Sequence, residues 1–121
     1  MTNSYTTILQ SEALSDILPV DSADMHYPLP SEQLRNGRRY KSYMPIFGQG
    51  GFGSTPCWTL DALLNALPKR PKREYNLVIS ADKPYFAFDD LELNVHEDYE
   101  GESAISACVN MILELYIRNI L

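Results

Sequence analysis

Eight cations between Leu34 and Arg73 are the side chains best suited to chemistry: Arg35, Arg38, Arg39, Lys41, Lys69, Arg70, Lys72 and Arg73. Gathered on one face, such groups grip the phosphates of a nucleic-acid backbone. Only one acid, Asp61, lies among them, so the segment carries +7 and leaves −13 to the rest of a chain whose total is −6. The run Lys69-Arg70-Pro71-Lys72-Arg73 is the densest part and the leading phosphate-contacting candidate. It suits a solvated connection between two elements equally well. The charge asymmetry equally suits two regions that compensate each other.

Other motifs are weaker. Gly48-Gln49-Gly50-Gly51-Phe52-Gly53 matches G-x-G-x-x-G letter for letter. A dinucleotide site needs a strand just before it and a helix opening at the third glycine. Here Pro56 intervenes and the next helix starts near Leu60. The lysine, catalytic aspartate and D-F-G of a protein kinase are absent, so the loop reads as a tight turn and no cofactor is expected. His26, with Asp24 nearby, and His96, beside Glu97 and Asp98, suggest a metal-dependent hydrolase as an alternative. Surface histidines are the plainer reading, and the spacing requires no metal. Cys57 and Cys108 lie among apolar neighbours outside any C-x-x-C pair and read as buried thiols of a reducing cytoplasm. No serine or cysteine sits in a nucleophile elbow. Lys83 to Phe88 has the aromatic character of an RNA-binding strand, but its flanks are acidic, and Phe86 and Phe88 read as core. The acids from Asp89 to Glu102 follow no calcium-loop pattern, though they would suit a mimic of DNA.

The elements that must position these groups follow from periodicity. The chain of 121 residues reads as a single α+β domain over 1–121. Ile8, Leu9, Leu14, Ile17 and Leu18 predict a helix over 5–18, ended by Pro19. Residues 20–37 read as a loop with a short extended piece at Met25-His26-Tyr27. A strand is expected over 39–47, demoted to an edge by Pro45. Residues 48–56 form a glycine-rich loop, and Thr59 caps a helix over 60–67. A three-strand antiparallel meander follows, with Tyr75, Leu77 and Ile79, then 84–88, then Leu91, Leu93 and Val95 on its strands and a tight turn at Asp89-Asp90. The meander is open to extension by an edge strand and packs against two or three helices. Glu97 to Glu102 reads as a connection. Ser103 caps a largely apolar last helix, over 103–120, in which Glu114 and Arg118 can pair. The helix, strand, strand, strand, helix order from 60 onward is that of double-stranded-RNA-binding domains, without their basic last-helix start. No apolar run reaches the roughly 20 residues that span a bilayer, and the N-terminus lacks the pattern of a signal peptide.

Three stretches together carry a resemblance: Ser22-Ala23-Asp24-Met25-His26-Tyr27, then Pro56-Cys57-Trp58-Thr59-Leu60-Asp61-Ala62-Leu63-Leu64, then Gly101-Glu102-Ser103-Ala104-Ile105-Ser106-Ala107. The chain resembles a group of small uncharacterised proteins encoded in prophages and mobile elements of gut Bacteroidetes. The resemblance implies a bacterial, cytoplasmic setting and a role in mobile-element biology, and it carries over no catalytic or binding residue. The expectation is therefore a non-enzymatic accessory or protein-interaction protein. Its partner would be another protein or a second copy docked through the C-terminal helix, with no membrane. A nucleic-acid-binding module using the eight cations remains the alternative.

Overall fold

Thr7 opens the first helix, α1 (Ile8–Ser15), with a reciprocal cap. Its hydroxyl accepts from the Gln10 N–H at 3.2 Å, and the Gln10 side chain accepts from the Thr7 N–H at 2.9 Å. Two otherwise unpaired donors are satisfied this way. The helix is shorter than the apolar spacing predicts, because residues 5 and 6 are drawn into another pairing. Tyr5 bridges Thr59, and the Thr6 N–H donates to the Trp58 carbonyl at 2.9 Å. This computed structural model describes residues 4–28, 34–35, 38–39 and 44–121. The fold is α+β, with three α-helices and two three-stranded antiparallel sheets among the described residues. It forms two compact units, Tyr5–Asn65 and Ala66–Leu121.

In the first unit, β1 (Met25–Tyr27) is the centre of a sheet, between β4 (Ile46–Phe47) and β5 (Thr55–Cys57). A pair of two-residue strands, β2 (Leu34–Arg35) and β3 (Arg38–Arg39), lies between β1 and β4 in sequence. The strand expected over 39–47 thus appears as two short pieces, and residues 40–43 lie outside the described ones. Its second piece does not extend the meander; it pairs with β1. Alternation then gives the small sheet two different faces. Met25, Tyr27 and Cys57 form one buried cluster, against which Tyr5 and Ile8 pack. His26, Ile46 and Pro56 form the opposite row. Pro56 needs no ladder donor on an edge strand, which is where it sits.

Asp24 ties β1 to α2 (Leu60–Ala66). Its carboxylate accepts from the Thr59 N–H at 2.9 Å and from the Thr59 hydroxyl at 2.5 Å, and that hydroxyl accepts from the Ala62 N–H at 3.3 Å. Trp58, immediately before, is wholly buried and donates its indole N–H to Ser22 at 3.0 Å.

The second unit is the meander β6 (Arg73–Val78), β7 (Tyr85–Asp90) and β8 (Val95–Glu100), with α3 (Ala104–Ile117) packed on β7 and β8. Phe86 and Phe88 are wholly buried at its centre. Each contributes about 1.5–3 kcal/mol by leaving water. The turn expected at Asp89-Asp90 is displaced to residues 91–94, because Asp90 is held inside the strand by Arg73. Asn94 adopts φ 55° to close the displaced turn, a conformation asparagine tolerates. Leu91 and Leu93 consequently sit exposed in that turn, and Ile79 lies exposed beyond the end of β6. The acidic stretch read as a connection is β8 itself. Its Glu97 accepts from Tyr99 at 2.6 Å and pairs with Arg118, which replaces the expected pairing of Arg118 with Glu114.

Ser103 caps α3 by accepting from the Ser106 N–H at 3.2 Å. At the other end Asn119 turns left-handed at φ 59°, while Ile120 and Asn119 donate to Leu115 and Tyr116 at 2.9 and 3.0 Å. This pair of bonds is the Schellman stop. Between β8 and α3, a Cβ on Gly101 would stand 2.3 Å from the Ala107 nitrogen and 2.6 Å from the Ser106 carbonyl carbon. Only glycine lets strand and helix approach this closely. Among the described residues, no helix is long and apolar enough to cross a membrane.

Candidate functional site

In the row His26, Ile46 and Pro56, His26 and Pro56 are roofed by the glycine-rich segment 48–54. Three bonds hold that roof down. The Gly48 N–H donates to the Asp24 carbonyl at 2.8 Å, and the Gln49 amide donates to the Ala23 carbonyl at 2.5 Å. His26 Nδ1 meets the Gly48 carbonyl at 2.8 Å. Ser54 closes the loop on itself, its hydroxyl donating to the Gly51 carbonyl at 2.7 Å. Gly50 lies so close beneath that a Cβ there would meet Ser54 Oγ at 1.9 Å and the His26 ring at 2.8 Å.

The roof does not fill the space it covers. A cavity of about 320 Å³ remains, lined by Val20, His26, Gln49, Phe52, Ser54 and Pro56 together with the glycines. That volume is at the small end of ligand sites. Val20 and Phe52 of this lining are exposed, Phe52 fully so, and so is Ile46, opposite His26 in the sheet.

No protein-family model matches the chain, and no curated protein or solved structure is similar to it. The reading of the site therefore stands on its geometry.

His26 is buried, at 7% exposure, and is not the surface histidine that its sequence neighbours suggest. A carbonyl oxygen only accepts, so the hydrogen of a neutral His26 ring sits on Nδ1 and Nε2 is left as a lone-pair acceptor. Ser54 gives its hydroxyl hydrogen to Gly51 and not to His26, so the two do not form a nucleophile and base. Asp24 is engaged by Thr59. His96 belongs to the other unit, where it is exposed and bonded to Asp89. That bond raises the His96 pKa above its usual value. Among the described residues, no three His, Cys, Asp or Glu side chains gather as a metal site.

The eight cations fall into two groups. Arg35, Arg38 and Arg39 lie on the β2–β3 pair, where Arg35 is opposite Arg38, and Lys41 lies outside the described residues. Lys69, Arg70 and Lys72 are exposed in the second unit. Arg73 is not available for phosphate. It is buried on the inner face of β6, its Nε donating to Asp90 at 2.8 Å and its guanidinium 5.4 Å from the centre of the Phe88 ring. The Leu93 N–H and the Arg73 guanidinium together hold the Asp90 carboxyl below its usual range. The fourth cation of the basic run is therefore part of the core.

On the outer face of the meander the register sets Glu74, Asp89 and His96 in one row, with Asp98 and Glu100 in the rows beyond. The apolar side of α3 is largely buried within the chain. Of its large apolar side chains, Tyr116 and Ile117 stay exposed. Both cysteines are buried, and burial raises their pKa values, that of Cys108 to about 12.

Proposed function

We propose that this chain is a non-enzymatic protein-interaction protein of a phage or mobile element, acting in the bacterial cytoplasm. One observation carries the reading: Val20 and Phe52, which line the cavity beneath the glycine loop, are exposed, as is Ile46, opposite His26 in the sheet. Exposed apolar side chains grouped at a cavity suit a partner that covers them. The acidic outer face of the meander would repel phosphate, which favours a protein over a nucleic acid. The mobile-element setting draws on the resemblance of the Ser22–Tyr27, Pro56–Leu64 and Gly101–Ala107 stretches.

The test compares the parent with the double variant Ile46→Asp/Phe52→Asp. Both side chains are exposed, so circular dichroism and the thermal midpoint should be unchanged within about 0.5 kcal/mol. A photo-crosslinking residue at position 20 should trap one host or element protein in stoichiometric yield with the parent and lose it with the variant. Sedimentation reads a second copy of this chain as the partner. A trapped set that is identical for parent and variant would overturn the proposal.

A further inference from the structure

We infer that the cavity beneath residues 48–54 receives an aromatic side chain carrying a hydrogen-bond donor, a tyrosine or tryptophan of the protein partner. The inference rests on the interaction reading above and specifies what that surface recognises.

The polar side chains lining the cavity are fastened to the protein's own backbone. The Gln49 amide donates to Ala23, the Ser54 hydroxyl donates to Gly51, and Nδ1 of His26 donates to Gly48. His26 leaves an acceptor, Nε2, on a side chain of a residue only 7% exposed. Among the described residues no protein donor reaches it, and it is not sealed from the open space. A lone acceptor in such a place asks the occupant for an N–H or O–H.

The remaining lining is Val20, Met25, Phe52 and Pro56 with bare glycine backbone. It offers an apolar wall and flat surfaces. An occupant with a flat apolar body and one donor at its edge matches both demands. Tyrosine and tryptophan are the two side chains built this way, and they are the usual anchors of protein interfaces. About 320 Å³ is room for one such ring. A phosphate, an acceptor itself, would leave the Nε2 lone pair unanswered.

The probes are N-acetyl-tyrosinamide, N-acetyl-tryptophanamide, N-acetyl-phenylalaninamide and inorganic phosphate, titrated into the full ¹⁵N-labelled chain. The tyrosine or tryptophan amide should shift the Gly50, Gly51 and Phe52 amides saturably and move the His26 Nε2 resonance as it accepts a bond. The phenylalanine amide should bind roughly tenfold weaker or worse, because it leaves Nε2 buried and unpaired. Equal binding of the phenylalanine amide, shifts with phosphate alone, or no shift with any amide would overturn the inference. If the amides bind but no partner is trapped, the interaction reading fails alone. If a partner is trapped through Ile46 and Phe52 but the amides leave His26 unmoved, only this inference fails.

Discussion

Replacing Gly50 by alanine puts a methyl group between the roof of the cavity and His26. The new Cβ would stand 1.9 Å from Ser54 Oγ and 2.8 Å from the His26 ring. The hydroxyl can rotate away, but it then gives up its bond to the Gly51 carbonyl, a loss of about 1 kcal/mol. The ring has less freedom, because it is buried and fastened through Nδ1 to Gly48. Overpacking against a held ring costs about 1–3 kcal/mol. Together the change should destabilise the first unit by about 2–4 kcal/mol.

Gly51→Ala is the internal control. Nothing stands within 4 Å of its Cβ position and its backbone suits an ordinary residue, so alanine there should be neutral or stabilise by about 0.4–1 kcal/mol. Trp58, the single tryptophan of the chain, is wholly buried in the same unit and reports its unfolding by fluorescence. With a urea slope of about 1.5 kcal/mol/M, the Gly50→Ala midpoint should fall by roughly 1.3–2.7 M. A midpoint within about 0.3 M of the parent, or an equal fall with Gly51→Ala, would refute the packing on which the cavity depends.

The Arg73–Asp90 pair gives a second prediction. Arg73→Met should leave a buried carboxylate uncompensated and lower the thermal midpoint by on the order of 10 °C, whereas Arg73→Met/Asp90→Leu should recover most of the loss. The depressed Asp90 pKa also fixes a sign. Its contribution is fully present above the unfolded carboxyl value and is lost as pH falls through the lower folded value, so Asp90→Asn should flatten the acid limb of a stability–pH curve. His96 acts in the opposite sense: its raised pKa contributes below the unfolded value and the contribution is lost as pH rises through the folded one. Cys57 and Cys108 should resist a thiol-specific disulfide reagent in the native protein and both react once it is unfolded; rapid native labelling would contradict their burial.

The parts of the fold that the sequence makes legible are those governed by local chemistry. Ser103 does cap the last helix, Thr59 does reach the Ala62 N–H, and Phe86 and Phe88 do lie in the core. What sequence reading misplaces is set by partners distant in the chain. Asp89-Asp90 has the composition of a turn, but Arg73, seventeen residues earlier, draws Asp90 into the strand and displaces the turn to 91–94. Thr55–Cys57 reads as loop because its strand character comes from pairing with Met25–Tyr27. The candidate site was only half visible. The glycines at 48–53 stand out in the sequence, but read as a tight turn. His26 reads as a surface histidine, with a metal site as the alternative. That one covers the other depends on the bond from Nδ1 to the Gly48 carbonyl, and no spacing announces it. The alternation of Met25, His26 and Tyr27 was the available signal, since it puts the histidine on the face opposite two core residues.

The close approach at Gly101 makes the junction of β8 and α3 a rigid elbow. The strand enters the helix with backbone against backbone, and no side chain lies between them to act as a bearing. Any side chain at this position would pry the start of α3 off the end of β8, so the missing Cβ sets how closely helix and meander of the second unit can seat.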